Sequence, residues 1–181
     1  MTDVKTEIIS WLKTIIFAVV VSLFITNFVI VNASVPSGSM ENMIMTGDRL
    51  VAFRLAYLFN SPKRYDVVVF IYPDDPDQKQ YYVKRVIGLP GETVRISDGK
   101  VYIDGSDKPL EDYFIKEPQA VEYDMEFTVP DGHYFMLGDH RNISYDSRYW
   151  TNKFVDGKKI LGEVVFRYLP SFKLFRPLDI K

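Results

Sequence analysis

Eighteen consecutive uncharged residues, Thr14 to Val31, constrain this chain more than any other stretch. As a helix the segment extends about 27 Å, close to the hydrocarbon thickness of a bilayer, and so predicts one membrane anchor. Lys5 and Lys13 precede it and no Lys or Arg follows before Arg49. Excess positive charge marks the cytoplasmic side, which puts residues 1–13 inside and residues 34–181 outside. The competing reading is a cleaved secretory signal, because Val31-Asn32-Ala33 has the small-residue character of a cleavage site. Length favours the anchor, since signal cores run about 7 to 15 residues.

The rest of the 181-residue chain has room for one globular unit. A net charge of −2, with no basic run, excludes nucleic acid as an expected partner. The chain has no cysteine, which removes thiol nucleophiles, disulfides and cysteine-type zinc sites. Only His133 and His140 are present, too few for a histidine-rich metal site, and neither metal nor cofactor is expected.

Beyond the anchor, helical periodicity is scarce and turn signals are frequent, so the globular part reads as mostly β. Pro36 to Asp48 is a loop. Strands are predicted at Arg49 to Phe53, Asp66 to Tyr72, Gln80 to Ile87, Phe127 to Val129, His133 to Leu137 and Ile160 to Leu169. Thr93 to Ile96 and Lys100 to Ile103 flank Asp98-Gly99, a pair suited to a tight hairpin in which both central residues take positive φ. Leu55 to Phe59 reads as core, with a lipid-facing patch as the alternative. The stretch from about 105 to 125 reads as an irregular surface insertion.

Ser39, in Pro36-Ser37-Gly38-Ser39-Met40 just outside the anchor, and Lys84, in the strand Tyr82-Val83-Lys84-Arg85-Val86, are a candidate nucleophile and base. A lysine can deprotonate a serine only when neutral, and an ordinary lysine is almost wholly charged at neutral pH. Period-two alternation puts Tyr82, Lys84 and Val86 on one strand face, and burial there disfavours the ammonium form. Asp139 beside His140 suggests a Ser-His-Asp triad, but adjacent residues in a turn rarely point at one another as a triad requires.

Pro36 to Met40 behind an apolar segment, Tyr82 to Gly91, and Gly138 to Arg148 together resemble bacterial type I signal peptidases of the Ser-Lys kind, and the single anchor and compact insertion look Gram-positive-like. Any one motif is weak; three in register are specific. The resemblance implies an antiparallel β-sheet catalytic domain of signal-peptidase type with a small inserted β subdomain. It implies that Ser39 attacks the scissile carbonyl and that Lys84 serves as base and then acid. Ser37 and the Ser39 N–H form the oxyanion hole, Met40 lines the cleft and Ser144 orients Lys84. Asp146 pairs with Arg148, and Asp139 with Arg141 braces the turn. Implied partners are preprotein signal peptides and the lipid bilayer, with a monomer as the working unit. The chain departs from the family pattern at Asn42, where proline is common, at Tyr65 in place of glycine, and at His140 in place of asparagine. Other readings are a dedicated peptidase with few substrates, a soluble self-cleaving repressor-type protease, and a non-catalytic anchored β-domain.

Overall fold

The computed structural model describes residues 4–115, 117, 119–120 and 124–175. The N-terminal tip, residues 116, 118 and 121–123 of the expected insertion, and residues 176–181 of the expected catalytic domain lie outside the described residues.

Helix α1 (Val4–Phe24) continues into a π turn (Ile25–Val29), and no residue of either is buried. A helix mostly apolar and uncovered by protein suits lipid, and Val4–Val29 is long and apolar enough to cross a membrane. The expected segment ran to Val31, but the helix stops at Val29 and strand β1 (Ile30–Ser34) begins. Two interactions set that boundary. The Thr26 hydroxyl and Asn27 amide donate back to the Ser22 and Leu23 carbonyls at 2.9 and 2.7 Å, and such side-chain competition loosens the final turn. Val31 then pairs with Ala52 and joins the core.

Strands β2 (Arg49–Phe53), β3 (Val67–Ile71), β4 (Tyr81–Gly88), β5 (Thr93–Ser97), β6 (Lys100–Ile103), β7 (Met125–Thr128), β8 (His133–Leu137), β9 (Val155–Asp156), β10 (Ile160–Leu169) and β11 (Lys173–Leu174) follow. The main sheet has the order β1-β2-β10-β3-β4-β8-β9 with β11 on β10, and a smaller sheet has the order β6-β5-β7. All pairings are antiparallel.

Strand β3 explains the layering. Its five residues are all apolar because both faces are covered. Val67 and Val69 pack with Met40 and Ile44 beneath the Ser39 turn, while Val68 and Phe70 pack with Met136 and Trp150. A third cluster, including Ile87, Phe135, Val94 and Ile96, joins the two sheets. The predicted hairpin forms, with φ of 49° at Asp98 and 73° at Gly99. A Cβ at Gly99 would also lie 2.3 Å from the Gln119 carbonyl oxygen.

Two expectations fail. Leu55 to Phe59 is not core: Arg54–Tyr57 forms a 3₁₀ turn, and Leu58 and Phe59 are 61% and 89% exposed. Tyr57 takes the inward position and donates to Asp66 at 2.8 Å, while Arg54 Nε donates to the Ile30 carbonyl at 3.3 Å, holding the turn beside the end of the anchor. The insertion, in turn, is more than surface. Phe114 is buried and packs edge-on against Tyr65 with ring centroids 5.4 Å apart.

Candidate active site

The loop between β1 and β2 carries Ser39. Val35 and Gly47 close its base, through Val35 N–H to Asp48 O at 3.0 Å and Gly47 N–H to Val35 O at 2.8 Å. Asp48 accepts from Met45 N–H and from Arg167, both at 2.9 Å. Inside the loop, Gly38–Met40 makes a 3₁₀ turn, with Ser37 extended before it. The first N–H groups of such a turn have no acceptor within it, so the Ser39 N–H is available as a donor. Ser37 Oγ lies 3.4 Å from Ser39 Oγ.

Strand β4 brings the amine. Lys84 sits opposite Val68 in the register with β3, on the face it shares with Tyr82 and Val86, and its side chain is 3% exposed. Its Nζ donates to Ser39 Oγ at 2.5 Å. Burial lowers the Lys84 pKa to about 8; the Asp146 carboxylate acts against this, Arg148 adds to it, and Asp139 acts against it. Burial dominates because removing water from an ammonium ion without a contacting carboxylate favours the neutral amine.

The segment after β8 closes the site. Gly138 allows close approach, since a Cβ there would lie 2.4 Å from the Ser39 carbonyl oxygen and 2.2 Å from Ser144 Oγ. Asp146 and Arg148 form the expected ion pair, with Nε to Oδ1 at 2.7 Å and Nη2 to Oδ2 at 2.8 Å, and Asp146 also accepts the Gly138 N–H at 3.0 Å. Met40 is buried and lines the cleft beside the nucleophile.

Two expected roles differ in the structure. Ser144 does not bond Lys84: the lysine donates to Ser39 instead, and the buried Ser144 Oγ, packed against Gly138, makes no hydrogen bond among the described residues. Asp139 and Arg141 do brace the turn, but through other partners. Asp139 binds Arg85 at 2.8 and 2.6 Å, and Arg141 binds Asp112 at 3.0 and 3.3 Å. No triad forms, because the His140 ring faces Glu117 and Glu41.

Sequence reasoning missed Arg85. It points to the opposite strand face from Lys84 and is 1% exposed, and a charged residue in an otherwise apolar strand signals a buried partner. The cleft over Ser39 and Lys84 encloses about 310 Å³, and Val35, Ser37, Met40, Tyr82, Val83 and Tyr145 are among its walls. A nucleophile, a desolvated base, two potential oxyanion donors and a mostly apolar trough can together support acyl transfer from an extended peptide.

A family model described as signal peptidase, peptidase S26, matches residues 8–169. A probable signal peptidase I-2 from Synechocystis is 41% identical over 167 residues, covering 89% of this chain and 74% of that protein. A signal peptidase I from Bacillus licheniformis is 35% identical over 186 residues, covering 98% of this chain and 97% of that protein. A crystal structure of a signal peptidase I from Enterococcus faecalis aligns with a TM-score of 0.48 and 34% identity, over 57% of this chain and 97% of that one.

Proposed function

The chain belongs to the signal peptidase family, peptidase S26, and on that premise we propose that Ser39 and Lys84 carry out its chemistry. The protein is a membrane-associated serine endopeptidase that removes N-terminal signal peptides from preproteins. The observation that carries the residue assignment is the 2.5 Å contact between a buried amine and the Ser39 hydroxyl.

Neutral Lys84 takes the hydroxyl proton as Ser39 Oγ attacks the scissile carbonyl carbon. The resulting oxyanion accepts hydrogen bonds from the Ser37 hydroxyl and the Ser39 N–H. The Lys84 ammonium then gives its proton to the departing amine, which releases the mature protein and leaves the signal peptide esterified to Ser39. Water, deprotonated by Lys84, hydrolyses the ester and restores the serine. The family resemblance implies small residues at the first and third positions before the cut, next to the mostly apolar cleft.

The N-terminus lies on the cytoplasmic side and the catalytic domain on the outer face, a reading supported by Lys5 and Lys13 before the apolar span. Leu58, Phe59 and Phe28, all exposed near the end of the anchor, meet the lipid boundary.

Purified protein in detergent, given a preprotein whose signal ends in Ala-x-Ala, should produce a single new N-terminus after the second alanine. Ser39→Ala, Lys84→Ala and Lys84→Arg should each abolish the product while retaining the folded domain, the last because a guanidinium does not deprotonate. Substantial turnover by any of the three removes the assignment.

A further inference from the structure

Asn42 and His140, two positions where this chain departs from the motifs it resembles, hold one segment between them. The turn after the nucleophile bends at Asn42, whose φ is 100°, in the positive-φ region where asparagine is enriched among non-glycine residues. A proline here, fixed near −65°, could not take that backbone. The restraint here comes instead from the Asn42 side chain, whose Nδ2 donates to the Phe114 carbonyl at 2.9 Å and the Ile115 carbonyl at 3.5 Å.

His140 reaches the same turn through both its backbone and its ring. Its N–H donates to the Ser39 carbonyl at 3.1 Å. The ring is buried, with Nε2 3.1 Å from Glu117 Oε1 and Nδ1 3.5 Å from Glu41 Oε2. The second contact is an ion-pair distance without hydrogen-bond geometry. Glu117 belongs to the insertion and Glu41 to the nucleophile turn, so the ring spans the two. Phe114, between these tethers, places its ring centroid 4.1 Å from the Arg85 guanidinium carbon, one residue along from Lys84. Asp112 anchors the same segment to Arg141.

We infer that Asn42 and His140 are positioning residues for the endopeptidase reaction: by fastening the nucleophile turn to the insertion, they hold Ser39 Oγ within reach of Lys84 Nζ. The inference rests on the assignment of Ser39 and Lys84 as the reacting pair. Its physical basis is the sensitivity of acyl transfer to alignment, since a displacement of about 1 Å can cost about 10²-fold in rate.

The test uses the full chain in detergent and a peptide substrate with Ala-x-Ala before the cut, and measures kcat, KM, the folded fraction by near-UV circular dichroism, and the thermal midpoint. Asn42→Gly keeps the backbone conformation and deletes the amide; Asn42→Asp keeps the shape but turns an acceptor oxygen toward carbonyls that cannot donate to it. Both should lower kcat by about 10- to 10²-fold with KM, folded fraction and thermal midpoint near wild type. His140→Ala should do the same, and its combination with Asn42→Gly should be non-additive because both tethers restrain one turn. The proposal is overturned if both Asn42 variants keep kcat within about two-fold of wild type, if lost activity matches lost folded fraction, or if the two losses simply add. Ser39→Ala in the same assay separates the two levels. Turnover there removes the dyad assignment, whereas an inert Ser39→Ala beside unimpaired Asn42 variants removes only the positioning role.

Discussion

A buried amine works as a base only in molecules where it has lost its proton. With the Lys84 pKa at about 8, about a tenth of the enzyme is in that form at pH 7. The single-turnover acylation rate should therefore rise about ten-fold per pH unit below 8 and level off above it, and a midpoint close to that of free lysine would contradict burial as the controlling influence. The same displacement bears on stability. Between about pH 8 and 10.5 the unfolded chain keeps the Lys84 proton that the folded protein has lost, so stability rises with pH through that window. Below it, both states are protonated and the native state bears the full cost of a buried ammonium. Lys84→Met should thus be more stable than wild type at pH 7, by on the order of 3 kcal/mol, with the difference fading by about pH 10.5. Denaturant unfolding of both proteins at several pH values checks this, and a pH-independent difference would contradict it.

Among the elements, β4 combines two electrostatic solutions within two residues. Lys84, on one face, has no carboxylate in contact among the described residues and becomes easier to deprotonate; Arg85, on the other, is met by both oxygens of Asp139. Asp139 lies two residues past the end of β8, so this pair joins the strand that carries Lys84 to the loop beside Ser39. Asp139→Asn would leave a buried guanidinium without its counter-charge, at a cost of roughly 3–5 kcal/mol. It should lower the thermal midpoint and also move the pH–rate midpoint to lower pH, since Asp139 raises the Lys84 pKa. Loss of stability with an unmoved midpoint would confine Asp139 to a structural role. Replacing Arg85 and Asp139 together by apolar residues should recover part of the stability, because no unpaired charge then remains.

At the scale of the whole molecule, the anchor passes straight into the catalytic sheet, with strand β1 starting at Ile30 beside the last helical turn. A truncation beginning at Ile30 keeps β1 and its pairing with β2. It should cleave a soluble peptide at the full-length rate, yet process a vesicle-bound preprotein about 10²-fold or more slowly, because enzyme and substrate no longer share one surface. Equal losses on both substrates would show that the helix supports the fold. Much of this plan was legible in the chain itself. An uncharged run announced a long apolar helix, β10 was bounded correctly from end to end, Asp98-Gly99 predicted its hairpin, and strand alternation gave Lys84 its apolar face. These are local properties, set by backbone sterics, side-chain period and apolar length. What the chain could not disclose was partnership at long sequence separation. Asp139 chooses Arg85, Asn42 reaches Phe114, Ser144 faces Gly138, and Leu58 and Phe59 stay outside the core, because each outcome depends on which strands become neighbours. The dyad itself divides the same way: residue types and spacing marked Ser39 and Lys84 as candidates, but only packing of β3, β4 and the nucleophile loop removes water from the amine and brings it to the hydroxyl.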